Sequence, residues 1–147
     1  MQHPAALLAA GLSLHCAAAA NAAPAAALAV LDAWIRAVPG TDVAAAYLTL
    51  RNNGREPLVI VGVRSPIAPH AMIHETQTLN GQSTMRPRET LRIAPGETVT
   101  FAPGGLHVML EPLAHPLTVG EEVPLVILLE GGASVEAKAR VRALTAE

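Results

Sequence analysis

The pentapeptide Leu106-His107-Val108-Met109-Leu110 alternates apolar with metal-affine side chains. On a strand, successive side chains point to opposite faces, so Leu106, Val108 and Leu110 take the core face while His107 and Met109 share the other. Two residues apart, they stand ~7 Å apart along the strand, near enough for both long side chains to converge on one ion. Taken alone, the pentapeptide reads more readily as a surface histidine beside a stray exposed methionine, which is an ordinary surface feature. Met72-Ile73-His74-Glu75-Thr76 has a related form: His74 shares a face with Met72 and Thr76, and Ile73 faces the other way. Met85 lies in a polar stretch, Gly81-Gln82-Ser83-Thr84-Met85-Arg86-Pro87, with no local apolar neighbour. Alone, it fits equally a methionine folded back over an irregular gap in the core.

Imidazole and thioether are borderline and soft ligands, and together they suit Cu(I). Neither carries charge when bound, so such a site with its ion has a net charge of only +1. Zinc more usually recruits Cys or carboxylate, and calcium or magnesium needs oxygen donors. No Asp/Glu cluster with such spacing occurs in the chain.

From His74 to Met109 the residues spell H-x10-M-x21-H-x-M. This pattern resembles the signature of the periplasmic copper chaperones called PCu(A)C. With six histidines and four methionines in the chain, chance would produce this spacing about 2 times in 10,000, which outweighs the usual false-positive risk of a motif. The surroundings are similar as well: Ala33-Trp34-Ile35-Arg36, Ala45-Ala46-Tyr47-Leu48, Asn52-Asn53-Gly54, His74-Glu75-Thr76, Met85-Arg86-Pro87 and Pro103 to Leu110. The resemblance runs from about Val30 to Val141, nearly the whole mature chain. It implies a cupredoxin-like, Greek-key β-sandwich and a metal site formed by His74, Met85, His107 and Met109. It further implies a chaperone, not an enzyme, that passes Cu(I) by ligand exchange toward the copper A centre of cytochrome c oxidase subunit II, alongside a Sco-type protein. One departure is visible. Many members carry a further methionine shortly after the first histidine, whereas Glu75, Thr76, Gln77 and Thr78 follow His74 here. Met72, on the same face, is placed to substitute in part. His70 and His115 each sit close to proline in loop-like stretches and read as surface residues.

The elements that must position these residues are short and punctuated, as strands are. Ala29–Ala37 reads as a first strand containing Trp34. Ala45–Asn52 alternates, Tyr47 and Thr49 against Leu48 and Leu50, and closes at Asn52-Asn53-Gly54. Pro57–Val63 is an apolar run, and Ala71–Leu79 a mixed one closed by Asn80-Gly81. Thr90–Ile93 and Thr98–Phe101 flank Pro95-Gly96, and Pro103-Gly104-Gly105 leads into Leu106–Leu110. Val123–Leu129 and Ser134–Val141 pair around Gly131-Gly132. Strands at this spacing, with 12 prolines and 11 glycines between and beside them, point to an all-β antiparallel sandwich or barrel. No internal repeat and no long amphipathic helix is visible.

Length sets one domain for 147 residues. A net charge of −2 leaves no basic stripe for nucleic acid. Trp34, Tyr47 and Phe101 are the only aromatics, too few for a stacking platform, which counts against a metal-free carbohydrate-binding or adhesion sandwich. Before Asp32 no residue is charged; Ala5–Leu14 is an apolar run and Ala20-Asn21-Ala22 fits an A-x-A cleavage signal. Residues 1–22 therefore read as a secretory signal peptide, leaving 23–147 as the mature copper-binding domain in the periplasm, without stable membrane insertion. Alanine-rich sequence broken by Asn21 and Pro24, without a positive flank, makes a poor membrane anchor. Cys16, the only cysteine, falls inside this segment, and His15 stands where a lipoprotein signal needs a small residue. A mature domain without cysteine has no disulfide, and it lacks the thiolate that a blue-copper electron-transfer centre requires. No histidine lies near the expected mature N-terminus, which excludes an oxygenase built on an N-terminal His.

Overall fold

In the computed structural model, which describes residues 23–144, a single turn of helix, α1 (Pro24–Ala27), precedes ten strands. These are β1 (Leu28–Arg36), β2 (Ala44–Asn52), β3 (Leu58–Arg64), β4 (His70–Leu79) and β5 (Gln82–Pro87), then β6 (Leu91–Ile93), β7 (Thr98–Thr100), β8 (Leu106–Glu111), β9 (Glu122–Leu129) and β10 (Ser134–Arg142). The hydrogen-bonded path runs β5-β4-β8-β2-β1-β10-β9-β3-β6, with β7 joined to β2. Strands distant in sequence lie side by side, as β2 with β8 and β3 with β9, so the chain crosses between layers in the manner of a Greek key. The fold is an all-β sandwich. Alternation along the strands fills its interior: Leu48 and Leu50 of β2, Ile60 of β3, Ile73 of β4, Val108 and Leu110 of β8, Leu125 and Ile127 of β9, and Val141 of β10 are all buried.

The expected strands are present within a residue or two of their expected bounds. Three features differ. The sheet is mixed rather than purely antiparallel, because β1 pairs β10 in parallel (Trp34 with Arg140, Arg36 with Arg142). Hydrophobic period reports which face of a strand is buried and carries no information on which strand lies beside it. The stretch from Gly81 to Pro87, expected as a polar loop, is mostly the edge strand β5, whose every residue is exposed. A strand that buries neither face shows no alternation, so its sequence looks like a loop. It is held by Asn80-Gly81, both at positive φ (51° and 77°), the backbone of the tight hairpin turn that matches strand twist. The third difference lies in β1, whose register against β2 slips by one residue between Leu31 and Trp34, with Asp32 at φ 49°. This bulge turns Trp34 outward, where it stacks on Tyr47 of β2 at 4.6 Å between ring centroids. The Arg36 guanidinium stands 5.7 Å from the centroid of each ring, and Arg142 stands 5.0 Å from Trp34. Tyr47 is consequently buried, although it shares the outward side of β2.

Among the described residues no helix is long and apolar enough to cross a membrane. Residues 1–22, expected as a signal peptide, and Cys16 among them lie outside the described residues.

Candidate metal centre

β4 and β8 run antiparallel with His74 directly opposite His107 and Met72 directly opposite Met109. Between these pairs, Ile73 opposes Val108, and both of those side chains are buried in the core. The histidines and methionines therefore share the outer face of the sheet, as the alternation requires. On the other side of β4, Thr76 opposes Met85 of β5. Thr76 is two residues from His74, so Met85 is on this face too. The four residues expected to hold a metal, His74, Met85, His107 and Met109, thus come from three adjacent strands and one face.

The imidazole rings of His74 and His107 meet edge to face, with centroids 5.8 Å apart and planes at 85°. That separation suits two imidazoles sharing one ion at ~2 Å metal–nitrogen bonds. His107 is 5% exposed, which overturns its reading as a surface histidine. Its Nδ1 lies 3.1 Å from the Gly105 carbonyl. A carbonyl only accepts, so Nδ1 carries the proton and donates; Nε2 is left with a free lone pair. That Nε2 is buried and has no hydrogen-bond partner, and the same holds for Nδ1 of His74. Buried polar atoms are almost always paired, so two bare imidazole nitrogens on adjoining rings mark a ligand position. A backbone acceptor that sets the tautomer of a metal-binding histidine is the usual outer-sphere arrangement.

The Gly105 carbonyl also accepts the Thr76 N–H at 3.0 Å, tying β4 to the entry of β8. Its position follows from the turn before it. Ala102-Pro103-Gly104-Gly105 closes with Gly105 N–H donating to Ala102 C=O at 3.0 Å, and Gly104 sits at φ 82°. This is a type II turn, with proline presetting the second residue and glycine taking the left-handed third.

The thioethers differ in exposure. Met109 is half-buried and lines a groove of about 510 Å³ with Arg36, Asp42 and Ala45. Met85 is 59% exposed on the edge strand. Both lie off the core, as the sequence pattern predicts; the groove beginning at Met109 is set by β1 and β2 residues distant in the chain, which that local pattern does not show. Among the described residues no three His, Cys, Asp or Glu side chains gather where they could hold an ion. The further soft donors on the face of His74 and His107 are the methionines Met72, Met85 and Met109. His115 is exposed, its Nε2 3.6 Å from Glu121, as a surface residue should be. His70, expected in a loop, instead opens β4 opposite Glu111.

A family described as "Putative lipoprotein LpqE-like" matches residues 28–141. The chain belongs to the LpqE-like family. Another protein, "Putative lipoprotein Lxx21020" of Leifsonia xyli subsp. xyli, is 35% identical over 106 residues, 71% of this chain and 63% of that protein. The LpqE-like chain thus spans less than two thirds of the length of that relative. Among solved structures, CuI-DR1885 of Deinococcus radiodurans is 31% identical, covers 85% of this chain and 83% of its own, and superposes with a TM-score of 0.58. The copper-bound PCuAC domain from PmoF2, at 24% identity and covering 80% of this chain and 93% of its own, has a TM-score of 0.66 and shows the shared fold. The LpqE-like chain is accordingly a PCuAC-like β-sandwich, as its sequence pattern implied.

Proposed function

We propose that this chain binds one Cu(I) through His74, Met85, His107 and Met109 and acts outside the cytoplasm as a copper chaperone. The observation that carries this reading is the pair of buried, unpartnered imidazole nitrogens, Nε2 of His107 and Nδ1 of His74, on a face that also holds the two thioethers. Two neutral nitrogens and two neutral sulfurs form a donor set suited to a soft monovalent ion. The copper named in the DR1885 and PmoF2 structures supports the same cargo, and the lipoprotein names of the family support an extracytoplasmic, periplasmic setting.

Transfer, in this reading, is ligand exchange with no change of oxidation state. His107, buried and fixed by Gly105, holds the ion from the protein side. Met85, on the exposed edge strand, is the donor that an incoming protein displaces first. The acceptor in the proposal is the copper A centre of cytochrome c oxidase subunit II, with a Sco-type protein acting beside it. The test is a transfer assay: the Cu(I)-loaded chain is mixed with purified oxidase subunit II, with and without a Sco-type partner, the proteins are separated, and the copper acquired by subunit II is quantified, its copper A absorbance being read after one-electron oxidation with ferricyanide. Formation of the centre supports delivery. Retention of copper by the loaded chain under all conditions sinks delivery and leaves a copper-buffering protein.

A further inference from the structure

The ladder of outward side chains does not stop at the four ligands. His70, Met72 and His74 alternate along β4 and so share its outer face; across from them on β8 stand Glu111, Met109 and His107. Met72 is 39% exposed, a long apolar side chain on a sheet face with the sulfur of Met109 as its direct cross-strand partner. Cross-strand partners have Cβ atoms ~5 Å apart, so two flexible thioethers there reach a common point. Along the strands, the Met72–Met109 pair is ~7 Å from the His74–His107 pair. Met72 is itself open to solvent, so this second pair is reachable from outside.

We propose that Met72, Met109 and His70 form a second, weaker station for a soft monovalent cation, Cu(I) or Ag(I), one residue pair along the sheet from the His74–His107 site. The proposal rests on the four-ligand reading above. Met109 belongs to both stations. When it swings from the His74–His107 side toward Met72, it carries the ion across: the Met109 sulfur–metal bond is kept, the bonds to both imidazoles and to the Met85 sulfur are given up, and bonds to Met72 and His70 replace them. No electron or proton is transferred. The half-buried carboxylate of Glu111, opposite His70, adds negative charge beside the passing cation. The second station is the weaker because His70 is exposed and Met72 partly so, and both side chains are therefore less ordered than a buried ligand. The first site, in contrast, has an imidazole locked by a backbone carbonyl.

The experiment is a titration of the full chain, ¹³C-labelled at the methionine methyls, with Ag(I) as a redox-inert probe. The first equivalent shifts the Met85 and Met109 methyls. The second equivalent, with Met109 already engaged by the first ion, is held by Met72 and His70 and shifts the Met72 methyl and the His70 ring, with an affinity lower by roughly tenfold or more, as fewer and less ordered donors imply. The double substitution His70→Gln with Met72→Leu removes the second step and leaves the first unchanged. Transfer from the loaded Met72→Leu protein to a small-molecule chelator is slowed severalfold, with first-site affinity unaltered. A Met72 methyl that stays unmoved in excess Ag(I) overturns the second station while leaving the four-ligand site intact. So does a second step that survives the double substitution. If the first equivalent leaves Met85 and Met109 unmoved, the four-ligand reading falls and takes the second station with it.

Discussion

Sulfur, rather than bulk, is what Met85 and Met109 contribute. Met85 is exposed and Met109 lies on the face opposite Val108 and Leu110, so neither fills the core. Leucine at both positions retains volume and apolar character, and such exchanges cost less than ~1.5 kcal/mol even inside a core. The Met85→Leu, Met109→Leu double variant is therefore expected to keep the thermal stability of the apo protein and to lose tight Cu(I) binding. Melts and competition with a Cu(I) chelator, run side by side, check this; an unfolded variant, or one that still binds tightly, removes these methionines from the site. The two histidines separate in the opposite sense. His107 is buried and donates to Gly105, while His74 is only half-buried. His107→Ala should lower apo stability by about 1–3 kcal/mol through the lost hydrogen bond and the space it leaves. His74→Ala should cost clearly less, yet both should abolish binding. Affinity must also fall in acid, since each imidazole coordinates only when neutral.

At the scale of elements, the hairpin of β4 and β5 is the part that trades stability for access. β5 pairs along its length with β4 and buries none of its residues, so it is held by backbone hydrogen bonds, its turn and two exposed side-chain hydrogen bonds, Thr78 with Ser83 and Thr84 to the Gln77 carbonyl. Elements with so few buried contacts open at low free-energy cost. Gly81 occupies the left-handed region at φ 77°, with open space around it, so a substitution there costs backbone strain and no clash. Gly81→Val is expected to cost about 1–2 kcal/mol in the turn. Because β5 is an edge, that cost should appear as faster hydrogen exchange of β5 amides and weaker Cu(I) binding, with little change in the global melting temperature. Equal loss of protection throughout the sheet would show that the hairpin is not a separate unit.

Across the whole molecule, one polar residue in the core ties distant segments together. Asn52 is fully buried at the end of β2. Its Nδ2 donates to the Glu56 carbonyl at 2.7 Å and to the Ile93 carbonyl at 3.1 Å, and its Oδ1 accepts the Gly54 N–H at 2.9 Å. The β2–β3 connection and the β6 edge strand are thereby fastened at one point, far from the metal face. Leaving these groups unpaired costs about 1–3 kcal/mol each, tempered by any water that enters. Asn52→Ala should therefore lower the melting temperature substantially. The Cu(I) affinity of the folded fraction should be unchanged. Added Cu(I) should recover part of the loss, because a ligand that binds only the native state stabilises it by mass action. Chelator competition well below the melting temperature checks the second half of this expectation, and reduced affinity there would link Asn52 to the site.

His74, Met85, His107 and Met109 stood out as candidates because their H-x10-M-x21-H-x-M spacing resembles the PCu(A)C signature; alternation on a strand added that Leu106, Val108 and Leu110 lie opposite His107 and Met109. Most strands were legible for the same reason: burying one face imposes a period of two on the residues. Where that imprint is missing, the sequence is silent. β5 buries nothing and looked like a loop. The bulge at Asp32 shifts the period of β1 and sends Trp34 outward to Tyr47, which a local pattern does not reveal. The parallel pairing of β1 with β10, the opposition of His74 to His107 and of Met72 to Met109, and the hydrogen bond from Thr76 to the Gly105 carbonyl all join residues far apart in the chain. Such pairings arise from how the layers pack, which is a property of the assembled sandwich. Residue types, spacing and alternation thus named side chains whose chemistry suits a soft ion and the face they share; the tertiary structure decided that His107 is locked and buried, that Met85 stays exposed on an edge, and that Met72 lies beside Met109.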